Sequence, residues 1–600
     1  MTAYLLAPLA GEALAQPRGV VVPLDATGRP TGPGTQAPRA ELASVVAGIE
    51  AADPAARWVW EDSRFAYPEL LEAGVEVRRC HDLGLTALLL HGAVDYVPTP
   101  GLPPRKLPEL PAEALATEQD ALFSALTPDP PTPQALAEEY AAQLEALASA
   151  GARGRTLHLL ASLDSAGSLI AEEMRRDGVP WDRAEHERLL AERLGPRVPH
   201  GARPAKLADL TEVLQDLLDA PRLNPDSQPE LLRALRGAGL DARSTRRWDL
   251  EELHHPAIEP LLRYKKLQRL LTANGWAWLD AWVRGTRFHP EYVVAGVVTG
   301  RWASQGGGAM QIPHDVRSAV RADPGHVLVV ADASQLEPRV LAAMSADHAL
   351  AEAARGRDLY QSIADKVFGG DREMAKVAML GAMYGGTTGP SAAMAPRLAA
   401  AYPRATALLE EAARTGERGG TVHTWLGRTS PRPAPFGGGT GSGFGPDGPG
   451  PGDEAPDAVG PGSRDTGMQA NAGGSGALGG QGNSLSPSQD GAPRAAGDPA
   501  AAARAWGRFT RNFVVQGTAA EWAECWMADL RSRLRATAPG SRQVFFLHDE
   551  IMVHAPESEA VDVEIALRAA ADGAARLIFG DIPVDFPISV GIARDYATAK

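Results

Sequence analysis

Cysteine is nearly absent from this 600-residue chain: Cys80 and Cys525 are the only two. Two thiols so far apart build neither a cysteine-based zinc cluster nor a disulfide framework, and the usage fits a reducing cytoplasm. No run of roughly eighteen uninterrupted apolar residues occurs, so no membrane span is expected. The opening "MTAYLLAPLAGEALAQPRGV" has no basic segment ahead of its apolar residues, so export is not expected either. Lysine is also scarce. Only seven of the 59 Lys and Arg residues are lysines, at 106, 206, 265, 266, 366, 376 and 600. The formal charge of −15 argues against a protein that coats nucleic acid non-specifically, but leaves room for a local basic patch.

The length exceeds one core and implies roughly three or four domains or subdomains. Residues 434–500 are rich in Gly, Pro and Ser, carry an acidic excess and hold few apolar anchors; such a segment is expected to be a disordered insertion within a folded unit. Residues 98–113 ("PTPGLPPRKLPELPAE") read as a Pro-rich linker, a signal repeated at 128–133. From about 134 to 285 apolar residues recur every three or four positions, the mark of helices. Beyond 286 the texture changes: "HPEYVVAGVVTGR", "GHVLVVADAS", "RQVFFLHDEIMVHA" and "DFPISVGI" read as strands, with helices between them, notably 371–384. A sheet assembled from both ends of this region is the inferred architecture.

Four segments carry chemistry. In "FFLHDEIMVH", His548, Asp549 and Glu550 stand together between two strand-like runs. Adjacent carboxylates at a hairpin tip repel unless a cation or water relieves them; a plain polar turn is the ordinary alternative. Asp332 ends the buried run Val327–Ala331, placed to bind a hard cation at a sheet edge or simply to cap the helix that follows. In "DREMAKVAMLGAMYGG", Arg372, Lys376, Leu380 and Tyr384 recur every fourth residue behind an Asp371 cap. That face could hold a triphosphate at its cationic end and a base or sugar at its aromatic end. Lys376 is a point charge in a chain that otherwise prefers the planar fork of Arg. A solvated basic edge is the alternative. Finally, Arg508, Asn512 and Gln516 form a polar stripe on one helix, able to read groove-edge acceptors or to bridge helices.

Taken in order, these segments resemble the polymerase module of family A DNA polymerases, the bacterial DNA polymerase I type. "TGRWASQGGGAMQIP" is similar to that family's TGR segment, "DASQLEPR" to motif A, the R-x-x-x-K…YG pattern at 372–385 to motif B, "HDE" to motif C and "NFVVQGTAAE" to its Asn/Gln helix. The likeness spans roughly 160–600 apart from the insertion. It implies an α+β multidomain fold: a right-hand palm with an antiparallel sheet, helical fingers and thumb, and an N-terminal RNase H-like domain of the exonuclease type. The expected division is 1–150 exonuclease-like, 151–285 thumb, 286–345 palm, 346–433 fingers, 434–500 insertion and 501–600 palm again. The implied activity is template-directed DNA synthesis in replication or repair. Its partners are primer-template DNA and deoxynucleoside triphosphates; a monomer in the cytoplasm, associated with the nucleoid, is expected.

The resemblance also implies roles. Asp332 and Asp549, with the backbone carbonyl of Ala333, would hold two Mg²⁺ ions about 4 Å apart, Glu550 assisting. Arg372 and Lys376 would grip the triphosphate. Tyr384 would stack near the templating position, Leu380 would face the sugar, and Gln335 would lie near the nascent pair. Glu337 would exclude a ribose 2′-hydroxyl. Arg301, Arg508, Asn512, Gln516 and His548 would contact the primer terminus and minor groove. The chain departs from the pattern at Ala333 (usually Tyr), Pro338 (usually Leu), Leu380 (usually aromatic) and Phe546 (usually Gln).

Residues 57–90 resemble the middle of the family's 3′–5′ exonuclease domain and 138–147 its last helix. Ala66 and Leu144 stand where metal-binding carboxylates are expected, and only Asp25 is available near an early strand, so a degenerate exonuclease-like domain is expected. Two other functions compete: a catalytically idle DNA-binding scaffold, and a relative of single-subunit RNA polymerases.

Overall fold

The computed structural model describes residues 2–9, 18–94, 96–99, 131–199, 201–304, 312–356, 358–386, 389–433 and 499–599. Nearly all of the 434–500 insertion, most of the 98–113 linker and Gln311 lie outside the described residues.

The N-terminal unit is built on a five-stranded sheet in the order Thr35–Pro38, Arg18–Leu24, Ala3–Leu9, Arg57–Trp60, Cys80–Asp82. The first three strands run antiparallel and the last two join in parallel. Its Val/Leu-rich strands are covered on both faces, as continuous apolar runs require. Helices begin where a side chain can cap them: Asp62 accepts from Arg64 N (2.9 Å) ahead of Ser63–Glu72, and Asp82 from Leu85 N (2.9 Å) ahead of Leu83–Ala93. Thr132 caps Pro133–Ser149, with proline at the first helical position.

This unit is bolted to the rest of the chain. The buried Arg531 guanidinium donates to the carbonyls of Val77 (2.7 Å) and Arg78 (3.0 Å) and to Glu173 (2.6 Å). Tyr67 donates to the same Glu173 carboxylate (2.6 Å). Three parts of the sequence therefore meet around one ion pair.

The middle region is helical as its periodicity demands, from Gly154–Asp177 through Arg183–Leu194, Ala205–Leu217 and Gln228–Gly237 to Ile258–Asn274. The strand expected across 289–301 is different. Only Tyr292–Val293 pairs, with Ala303–Ser304, and the chain then reverses through a turn in which Gly300 N bonds Val297 O (2.8 Å). Gly300 has φ +86°, and a Cβ there would collide with Arg428 Nε. A positive φ and a packed guanidinium together require glycine at this point. Apolar residues alone did not make the segment extended.

The second sheet has four antiparallel strands in the order Arg542–Leu547, Glu550–Pro556, His326–Ala333, Ile588–Ala593. It is assembled from both ends of the region, as inferred. His326–Ala333 is central, paired on both edges and buried along Val327–Ala331, which explains its unbroken apolar run. Short helices fill 348–417, including Leu359–Val367 and Arg372–Tyr384. A 39-residue helix, Pro499–Thr537, then crosses the molecule.

Candidate active site

The central strand and its hairpin neighbour bring the acids together. Strands Arg542–Leu547 and Glu550–Pro556 are joined by a turn of only two residues, His548 and Asp549. His548 has φ +57°, an uncommon conformation for a residue with a Cβ and one that tends to persist at functional sites. Asp332 is the direct register partner of Glu550, and Ala333 N donates to Asp549 O (2.9 Å). The carboxylates at the two strand ends are thus neighbours across one ladder. Burial, then the charge of Asp332, pushes the Asp549 carboxyl well above the usual range; Arg301 opposes that and Glu550 adds to it. Asp332 does not cap the following helix: Leu336–Ser345 starts from Gln335, in left-handed conformation and without a capping side chain. Two half-buried carboxylates, Asp332 and Asp549, at adjacent strand ends beside the buried Glu550 make an all-oxygen donor set. That chemistry fits a hard divalent cation.

Glu550 is buried and accepts a hydrogen bond from the Tyr596 hydroxyl. Tyr596 is fully buried, its backbone N–H donates to Val320 O (3.0 Å), and the Arg317 guanidinium lies 4.6 Å from its ring centroid. Nothing near Tyr596 in the sequence announces this. The residue is separated from Glu550 by a helix and a strand, and its role depends on the C-terminal segment folding back under the sheet.

Glu337, on the first turn of Leu336–Ser345, is held by two partners. Arg301 pairs with Oε1, and the Tyr384 hydroxyl donates to Oε2 (2.5 Å). Three residues expected to act at the primer, the sugar and the template position therefore form one hydrogen-bonded row. His548, half-buried near Arg301, is held down to about 4, chiefly by burial, so its ring is neutral near pH 7.

The Arg372–Tyr384 helix is capped as expected, Asp371 accepting from Met374 N (2.9 Å). Ala375, Ala378, Met379 and Met383 are buried, while Arg372, Lys376, Leu380 and Tyr384 stay half-exposed along the border of that buried face. Arg372 Nε donates to Asp358 Oδ2 (2.8 Å), a partner fourteen residues away and unmarked in the sequence. Gln335 turns toward the same Asp358: its Nε2 donates to Oδ1 (2.9 Å) and its Oε1 accepts from Leu359 N (2.8 Å). Arg508 is exposed on the long helix, and a Cβ at Gly385 (φ +74°) would lie 2.9 Å from its stem. Asn512 is buried and Gln516 half-buried one and two turns further on. Arg511 Nη1 donates to Ala382 O (3.0 Å), tying this helix to Arg372–Tyr384.

In the N-terminal unit, Ala66 and Leu144 are partly buried and pack against apolar clusters. Asp25 lies in an exposed turn, where its Oδ1 accepts from Thr27 N (2.8 Å) and Arg29 N (3.0 Å). The central strand Ala3–Leu9 carries no carboxylate. Among the described residues of the whole chain, no helix is long and apolar enough to cross a membrane.

Residues 206–435 match the model of DNA polymerase family A. The chain is 26% identical over 380 residues to a thermostable DNA polymerase I of Thermus filiformis, covering 60% of this chain and 38% of that protein. It is 25% identical over 402 residues to DNA polymerase I of Chloroflexus aurantiacus, covering 62% and 35% respectively. The chain thus spans under two-fifths of the length of these relatives. Its fold is similar, with a TM-score of 0.66 at 18% identity, to the POL domain of Pol1 from M. smegmatis in complex with DNA primer-template and dNTP. That likeness covers 100% of this chain and 96% of the other.

Proposed function

We propose that the chain, whose residues 206–435 match the model of DNA polymerase family A, is a template-directed DNA polymerase of that family, extending a primer 3′-hydroxyl with deoxynucleotides in replication or repair. The observation that carries the reading is the ladder that sets Asp332 beside Asp549, with Glu337, just beyond Asp332, hydrogen-bonded to Tyr384 on the helix that also bears Arg372 and Lys376. Asp332, Asp549 and the Ala333 carbonyl would hold two Mg²⁺ ions. Such ions, when bound, lower the pKa of an attacking hydroxyl and offset charge on a departing pyrophosphate.

The remaining work falls to the chain itself. Arg372 and Lys376, one turn apart, present a fork and a point charge to a triphosphate. Leu380 offers a smooth apolar surface to the sugar. Arg301, Arg508, Asn512, Gln516 and the neutral His548 line the side on which a primer terminus and minor groove would rest. Glu337, fixed by Arg301 and Tyr384, fills the space a ribose 2′-hydroxyl would need. The N-terminal unit serves as a docked scaffold without exonuclease chemistry, since apolar residues occupy the positions its metals would require.

Primer extension by the purified chain with Mg²⁺, matched or mismatched deoxynucleotides and ribonucleotides tests the reading. A 3′-labelled degradation control tests the loss of exonuclease activity. Templated deoxynucleotide addition without degradation is expected. Absence of extension would favour an idle DNA-binding scaffold, and equal use of ribonucleotides a single-subunit RNA polymerase relative.

Two smaller predictions follow from the site. Glu337→Ala should relax discrimination against ribonucleotides by about 10- to 100-fold, because a packed carboxylate that repels a hydroxyl is replaced by a void. Competition between the two nucleotide types measures it. Tyr596→Phe removes the hydroxyl that fixes Glu550 while keeping the ring. Extension should slow by about 5- to 20-fold, the loss of one hydrogen bond to a charged group. Duplex affinity should stay unchanged in a mobility-shift assay.

A further inference from the structure

The segment leading into helix Leu359–Val367 is gripped from two sides. From below, the fully buried Arg339 donates to the carbonyls of Ala354 (2.7 Å) and Gly356 (2.9 Å), as well as to those of Ser334 (3.0 Å) and Asp585 (2.8 Å). From the side, Gln335 bonds both Asp358 and Leu359 N. Gln335 lies three residues beyond Asp332, so the segment is fixed to the end of the strand that carries the first acid.

Asp358 has two distinct sets of partners. Oδ1 caps the helix by accepting from Gln361 N (3.1 Å) and also accepts from Gln335 Nε2. Oδ2 accepts from Arg372 Nε (2.8 Å). Capping needs only the first oxygen. The second reaches across to the neighbouring helix, where the Arg372 guanidinium also lies 5.7 Å from the Tyr360 ring centroid. Glu373 contacts Nη1 at 3.4 Å, but its carboxylate is largely exposed, and such contacts hold weakly. A guanidinium gripped through Nε by a carboxylate has its orientation set.

We propose that Asp358 is the positioning residue of Arg372, fixing its guanidinium for the nucleotide triphosphate and, through Gln335, linking that orientation to the strand end that bears Asp332. The proposal rests on the polymerase reading and adds to it a residue that touches neither substrate nor metal.

The test compares wild type, Asp358→Asn, Arg372→Ala and the double variant in single-nucleotide incorporation. Nucleotide affinity for the complex with a dideoxy-terminated primer is measured alongside. Asn keeps a carbonyl for the cap and for Gln335 but loses the charged acceptor for Arg372. Asp358→Asn should raise the nucleotide KM and dissociation constant about 5- to 20-fold, as expected for losing a charge-assisted hydrogen bond. The kcat should change by less than about threefold. Added to Arg372→Ala, the same change should cost less than about twofold, because two residues acting through one contact are not additive. Multiplicative effects in the double variant, or an unchanged or lowered KM in Asp358→Asn, would overturn the proposal. If thermal melting shows Asp358→Asn to be unfolded, Asp358→Ser, which keeps a capping oxygen, carries the same comparison. A wild-type chain that extends primers while the variants behave additively sinks only the role of Asp358. A wild-type chain that does not extend sinks the polymerase reading with it.

Discussion

Asp549→Ala should reduce primer extension by about 10³-fold or more while duplex binding stays within a few-fold of wild type. Loss of one preorganised electrostatic group in an active site typically costs 10²–10³, and this one is also expected to anchor metal. The backbone carbonyl of Asp549 accepts from Ala333 N, so the backbone at 549 is coupled to the strand end that bears Asp332 whatever side chain it carries. Asp549→Asn carries a second consequence with a definite sign. In the metal-free protein the Asp549 carboxyl is raised by burial and by Asp332. A carboxyl raised on folding contributes stability that is fully present below its unfolded pKa and is lost as pH climbs toward the folded value. The metal-free wild type should therefore lose melting temperature as pH rises from the ordinary Asp range toward that raised value. Asp549→Asn should flatten this slope, making the inactive variant more stable than wild type at alkaline pH. Melting curves across pH, in the presence of chelator, measure both effects. A slope unchanged in the variant would show that Asp549 is not the group responsible.

The second large effect concerns a site away from the chemistry. Arg428 is buried and donates through Nη2 to Asp164 Oδ1 (2.8 Å) and Oδ2 (3.0 Å). Two further buried acids share this space. Glu524 accepts from Trp302 Nε1 (2.8 Å); Glu521 accepts from the Thr424 hydroxyl and from Leu426 N (3.0 Å). Burial pushes Glu521 up to about 7, and burial followed by Asp164 pushes Glu524 well above the usual carboxylate range. One cation thus serves three carboxylates, tying together helix Gly154–Asp177, the turn after Gly300, the 421–430 segment and the long helix. Arg428→Ala should cost about 3–5 kcal/mol, the usual result of removing one partner from a buried ion pair. The apparent melting temperature should fall by several degrees, and Arg428→Lys should restore part of the loss, since it keeps a buried positive charge beside Asp164. Glu524→Gln should be far milder, because its raised carboxyl already favours the neutral form. Equal losses for Arg428→Ala and Glu524→Gln in thermal melts would contradict this account.

These cases show which parts of the molecule were legible in the sequence. Asp332 and Asp549 each end a strand-forming run, so their place at a sheet edge could be read. Their adjacency needed the register of the hairpin, which only the pairing supplies. The stripe from Arg372 to Tyr384 was legible because a helix repeats, and its Asp371 cap marked the start. The segment around 289–301 was misread because apolar content mimics a strand while Gly300 forces a reversal. Asp358 caps its helix, but its second oxygen bonds a residue on another helix, a contact that no local pattern marks. Tyr596 and the Arg428 cluster had no periodicity to betray them. Asp164, Glu521 and Glu524 sit in helices where an acid normally faces water, and only the tertiary placement of one arginine brings them inside.

The central claim is that Asp332 and Asp549 form one cation site beneath a nucleotide. Counting Mn²⁺ ions by electron paramagnetic resonance tests it most directly. The full chain would be held with a dideoxy-terminated primer-template and the matching deoxynucleotide, against a protein-free blank. The wild type should bind two manganese ions beyond the blank, and the Asp332→Asn/Asp549→Asn double variant should lose at least one while still binding the duplex. The same manganese count in both proteins would contradict it.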